Sequence, residues 1–275
     1  MTVAKHIALC ADDYAMHPAV DAAVQQLTEQ GRLSATSCMT TAPRWPEAAR
    51  ALPALRNRLS VGLHFNLTDG HGVAPNTGIG SVIAQAYTGR LNTTAMRNAW
   101  RQQLDAFEDA LGTPPDYVDG HQHVHQLPTI RTMMLDELQR RYGRTGKPLP
   151  WIRATAPAGA LRWQAKAAII ALLGGYTLTR QLHQQGWPSN QGFGGVYGFD
   201  AATPAAYGAH MAQWLAACQD GSLLMCHPAN AVVDGDAIGA QRPVEFTYLQ
   251  SAVFGDLLAA HQIQIVQSPY ELFRK

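Results

Sequence analysis

Short apolar runs, each closed by a charged or imidazole side chain, recur along this chain and alternate with stretches of helical pattern. The runs at 6–10, 34–40, 59–65, 116–118, 151–155, 222–226 and 263–267 are strand-like. Helical patterning is expected over 18–30, 46–55, 94–111, 128–142, 161–185, 205–219 and 245–261, with Pro18 in a first turn and Gly31 just past a last one. Residues 69–89 are glycine-rich and read as a long irregular loop; 191–200 read as a glycine-aromatic loop. Strands alternating with helices require a mainly parallel sheet with helices outside it. About seven such units imply an α/β fold of the TIM-like (β/α) barrel type, closed or incomplete. With no composition break and no internal repeat, a single domain over 1–275 is expected.

This topology constrains chemistry. In a parallel α/β fold every residue that follows a strand lies at the carboxyl edge of the sheet. Asp12, Asp13, His64, Asp119, His121, Arg153 and His227 all occupy such positions, so residues far apart in sequence are expected to converge on one pocket.

Composition removes several function classes. The formal net charge is +1 and no basic run occurs, which argues against nucleic-acid binding and against attraction to an anionic membrane surface. The apolar part of the N-terminal segment is short and meets two aspartates; it reads neither as a signal peptide nor as a membrane span. The longest apolar stretch, 165–175, is also too short to span. A cytoplasmic protein is the expectation. Cys10, Cys38, Cys218 and Cys226 form no CxxC pair and sit in apolar runs, so they read as buried free thiols. There is no GxxxxGK[ST] loop, no strand-linked GxGxxG and no GxSxG elbow.

One carboxylate and two imidazoles make a common site for a divalent ion that keeps open positions for water and substrate. Asp13, His64 and His121 can supply that set from three strand ends, and of two adjacent aspartates one can bind the metal while the other stays free as a base. Taken alone, the aspartate pair also fits a turn with a helix N-cap, and a lone His64 or His227 fits a structural role. The HQHVH segment places His121, His123 and His125 at alternating positions; if the strand continues, all three share a face. His123 and His125 are candidates for contacting the site or the substrate, as is Tyr197 of the glycine-aromatic loop. A buried Arg153 at a strand end suits either an ion pair or a bidentate hold on a carboxylate.

ADDY after the first strand, GLHFNLT after the third, DGHQHVH and CHPA, spread from Ala11 to Ala229, resemble the YdjC-like (ChbG/HpnK) family of carbohydrate deacetylases. The resemblance implies a (β/α) barrel related to that of the polysaccharide deacetylases. It implies metal ligation by Asp13, His64 and His121, a catalytic base at Asp12, a general acid at His227 and, as a weaker match, an arginine near the base at Arg153. It also implies one divalent ion, magnesium or zinc, and an N-acetylated amino sugar as substrate. Tyr14 and Ala15 stand where many members carry Phe and Gly, and DGHQH stands where many carry DSHHH; neither change falls on an implied ligand. The alternatives are a metal-dependent hydrolase of another bond, or a sugar-binding protein without catalysis. A homodimer is the assembly expected from the frequency of two-fold symmetry.

Overall fold

The computed structural model describes residues 4–70 and 78–268. Eight parallel strands form one sheet: β1 (Lys5–Tyr14), β2 (Ala35–Cys38), β3 (Ser60–Phe65), β4 (Tyr117–Gly120), β5 (Trp151–Ile152), β6 (Phe193–Gly194), β7 (Ser222–Cys226) and β8 (Ile263–Ile265). Their order is β5-β4-β3-β2-β1-β7-β6, with β8 added alongside the start of β1. Among the described residues only isolated bridges, Ile152 to Ser189 and Pro157 to Phe193, join the two ends of this path. The fold is therefore an incomplete TIM-like barrel.

Strands β1, β2, β3, β4 and β7 are buried almost throughout, which is why they read as continuous apolar runs rather than alternating ones. Helices cover the outside, the longest being Thr93–Leu111, which Asn92 caps through Ala95 N–H and Gly112 ends in the left-handed region. The four cysteines are buried and free.

Several boundaries depart from the sequence expectation. The supposed loop 69–89 contains a helix, Gly78–Tyr87, whose two glycines and weak flanking signals hid it; 71–77 lie outside the described residues. The helix expected over 245–261 is two helices, Arg242–Leu249 and Ala252–Ala260, because Ser251 caps the second by accepting from Phe254 N–H at 3.3 Å. The helix expected over 161–185 is interrupted at Gly174, whose φ of 127° a helix does not allow. Among the described residues no helix is long and apolar enough to cross a membrane.

Candidate active site

The polar residues that close β1, β3, β4 and β7 meet at one end of the barrel in a cavity of about 780 Å³, and Arg153, after β5, is buried against Asp12. Asp12, Asp13, His64, His121, His123, Tyr197, His227 and Arg242 line it. In a regular strand Asp12 and Asp13 would face opposite ways. Here the β1–β2 register slips between Ala11 and Tyr14, and Asp13 takes a φ of 68°. That bulge turns both carboxylates into the same cavity, at the cost of placing a non-glycine residue in the left-handed region.

Asp13 and two imidazoles form one cluster. Asp13 Oδ1 lies 3.1 Å from His121 Nδ1 and 3.5 Å from His64 Nε2. Donors arranged tetrahedrally about 2.1 Å from a zinc ion stand roughly 3.4 Å apart, so these spacings suit a metal with little movement. The other oxygen, Asp13 Oδ2, accepts from Arg242 at 2.7 Å, which leaves Oδ1 to face the imidazoles. His64 Nδ1 is 2.6 Å from Asp119 Oδ1; a proton on that nitrogen directs the Nε2 lone pair toward Asp13. Burial alone would lower the His64 pKa, yet Asp119, Asp12 and Asp13 together raise it. The buried carboxylates of Asp12, Asp13, Asp119 and Glu245 outnumber the buried guanidiniums of Arg153 and Arg242 here, so the pocket favours further positive charge.

Asp12 belongs to a second cluster. Arg153, fully buried, holds both its oxygens, with Nη1 to Oδ2 at 2.7 Å and Nη2 to Oδ1 at 2.6 Å. Burial would raise the Asp12 pKa, but the paired guanidinium outweighs it and keeps the carboxyl well below the usual range. Cys10, Asp12 and Asp119 are close enough to hold a metal too, but Arg153 Nη2 sits among them, 3.0 Å from Cys10 Sγ and 2.5 Å from Asp119 Oδ2. That space is filled by a permanent cation. The Asp13 cluster is thus the one suited to an ion.

His227 Nε2 is 3.8 Å from Asp12 Oδ2, with Phe199 packed edge-on against its ring at 5.1 Å. Its backbone N–H donates to Glu245 Oε2 at 2.7 Å.

The histidines of HQHVH do not share a face. β4 ends at Gly120, and residues 121–126 wind into a 3₁₀ turn with Gln122 and His123 at positive φ. Only His121 joins the Asp13 cluster. His125 is fully buried, and its Nε2 donates to the Arg153 carbonyl at 3.0 Å. Burial lowers its pKa to about 4. Gly120 allows this fold-back, because a Cβ there would stand 2.9 Å from the His125 backbone nitrogen. His123 lies edge-on to Phe193 and faces the cavity, and burial, then its neighbour His125, holds its pKa well below the usual value. Tyr197 presents its ring, since its hydroxyl donates to Glu245 Oε1 at 2.5 Å.

Arg242, Glu245 and Ser37 belong to the site but carry no strand-end signal. Arg242 and Glu245 arrive with the helix that follows the 227–241 loop, and Arg242 also holds Asp236 of that loop at 2.5 Å. Pro243, marking the start of that helix, was the available hint.

Comparisons with known proteins bear on the family and the fold. A carbohydrate deacetylase from Homo sapiens is 28% identical over 188 residues, covering 59% of this chain and 57% of that protein. A chitooligosaccharide deacetylase from Yersinia enterocolitica serotype O:8 is 30% identical over 131 residues, covering 44% of this chain and 50% of that protein. The aligned part thus spans about half the length of these curated relatives. Among solved structures, a putative cellobiose-phosphate cleavage protein from Enterococcus faecalis V583 superposes with a TM-score of 0.69 at 17% identity, over 98% of this chain and 99% of that one. The Xyl-CE4 domain of a multidomain xylanase from the hindgut metagenome of Trinervitermes trinervoides gives 0.50 at 12% identity, over 96% and 87%. Both share the fold. The model of the YdjC-like protein family matches residues 6–260, and the chain belongs to that family.

Proposed function

We propose that this protein is a metal-dependent carbohydrate deacetylase that hydrolyses the N-acetyl group of an amino sugar. The observation that carries the reading is the pairing of two clusters in one cavity: Asp13, His64 and His121 at ligand spacing, beside an Asp12 clamped by Arg153, with His227 Nε2 3.8 Å from Asp12 Oδ2. The names of the relatives, carbohydrate deacetylase and chitooligosaccharide deacetylase, support the substrate class.

In this reading Asp13, His64 and His121 hold one divalent ion. Two imidazoles favour zinc, cobalt or nickel over magnesium by ligand softness. Such an ion supplies Lewis acidity toward the acetyl carbonyl and makes a nearby water more acidic. Asp12 takes the proton of the attacking water. A carboxylate held so low by Arg153 is a weak base on its own, which is why the reaction needs the ion beside it. His227 gives a proton to the sugar nitrogen as the carbon–nitrogen bond breaks, and acetate and a free amine result. Glycosidic cleavage fits less well: Asp12 and Asp119 share one guanidinium instead of flanking a bond as separate carboxylates.

The test is acetate release from N-acetylated sugars, from monomer to oligomer, by metal-stripped protein and by protein restored with Zn²⁺ or Mg²⁺. Release that returns with the ion is the expected result. No release from any sugar with the ion bound would remove the amino-sugar substrate.

A further inference from the structure

Asp119 closes β4 directly beside His64 of β3, its partner in the parallel register, and is fully buried. Its two oxygens serve different clusters. Oδ1 is 2.6 Å from His64 Nδ1. Oδ2 accepts from Ser37 Oγ at 2.5 Å and lies 2.5 Å from Arg153 Nη2. That same Nη2 is 2.6 Å from Asp12 Oδ1. A chain of four side chains, His64–Asp119–Arg153–Asp12, therefore links the ligand cluster to the clamped carboxylate without leaving the protein interior.

We propose that Asp119 is the positioning residue that holds the metal-ligand cluster and the Asp12 base in fixed relation. One carboxylate plane sets the direction of the His64 imidazole and of the Arg153 guanidinium together. Aspartate is the side chain this position requires. Both of its oxygens face donors, so an asparagine amide would accept on one side and present N–H groups to a donor on the other. Glutamate adds a methylene where nothing is exposed. Ser37 tunes one half only, since it donates to Oδ2 and makes no contact with His64.

This inference rests on the metal-dependent reading, and titration of stripped protein with Zn²⁺, together with the visible spectrum of the Co²⁺-loaded protein, separates the two. If the parent protein binds neither ion and Mg²⁺ does not restore acetate release either, the metal reading falls and the role of Asp119 with it. If it binds zinc, Asp119→Asn is expected to weaken the affinity roughly 10- to 100-fold and to shift the cobalt bands, as loss of a carboxylate behind a ligating histidine does. Acetate release from N,N′-diacetylchitobiose is then expected to stay low even at saturating Zn²⁺, because the Arg153–Asp12 half has also moved. Parent-like affinity and cobalt bands in Asp119→Asn, or full recovery of acetate release once zinc saturates, would overturn the inference. Should Asp119→Asn fail to fold, Ser37→Ala carries the test: zinc affinity as in the parent protein, with acetate release reduced several-fold. Unchanged release in Ser37→Ala would overturn it.

Discussion

The floor of the cavity, at the strand ends, joins Asp12, Asp13, Asp119, His64, Arg153 and Arg242 in buried ion pairs and hydrogen bonds. The wall above it, from the helix Gly78–Tyr87 and the interrupted helix after residue 165, offers Ile79, Ile83, Ile170 and Leu173, with Lys166 as its main charged group. Apart from Arg242, which a helix carries, the floor residues sit on or just after parallel strands of one sheet. Wall residues sit on elements packed on one face only. Under the proposed function, bond chemistry belongs to the floor and substrate selection to the wall, as rigid scaffolds carrying adaptable covers often divide them.

The division breaks first at the ligands. His64→Ala and His121→Ala are each expected to lose stoichiometric zinc and, with it, acetate release; full zinc occupancy in both variants would remove the ligand cluster from the account. Asp12→Asn should sharpen the picture. It is expected to retain zinc while turnover falls by roughly 10²- to 10⁴-fold, the range for losing a general base. If Asp12→Asn loses zinc instead, the roles of the two aspartates are wrongly divided. On the wall, Leu173→Ala removes apolar area from the cavity and is expected to raise KM by roughly 10-fold or less with kcat kept. A fall in kcat with KM unchanged would mean that the wall takes part in the chemistry.

A separate effect is expected on stability against pH. Folded His125 stays neutral down to about 4, whereas its ordinary value is 6.5. Between these values the unfolded chain binds a proton that the folded chain refuses, so stability falls as pH drops through that window. One such group contributes at most about 1.4 kcal/mol per pH unit. His123 acts in the same direction. In urea unfolding series, His125→Gln is expected to flatten the slope in part; an identical slope in parent and variant would show that the ring is not held neutral.

The floor was largely legible in the sequence because parallel topology sends every strand end to one edge. That rule placed Asp12, Asp13, His64, His121, Arg153 and His227 together from their positions alone. It could not foresee the β1 bulge that turns two adjacent aspartates the same way, since no residue at Asp13 announces a positive φ. Nor could it separate the three histidines of HQHVH: their alternation fits a strand, and only the fold-back permitted by Gly120 sends His125 beneath Arg153. Arg242 and Glu245 escaped because they belong to a helix start after a loop, where neither periodicity nor a strand end marks a site. The wall was the least legible, since its glycine-containing helices carry weak signals and the contacts that order them come from distant parts of the chain.

The central claim, that Asp13, His64 and His121 hold the ion while Arg153 fills the neighbouring cluster, is tested most directly by anomalous diffraction at the zinc edge from crystals of zinc-loaded protein. The account predicts one strong peak about 2.0–2.2 Å from Asp13 Oδ1 and from one nitrogen of each histidine. A peak among Cys10, Asp12 and Asp119, or none at the Asp13 cluster in protein that has bound zinc, would contradict it.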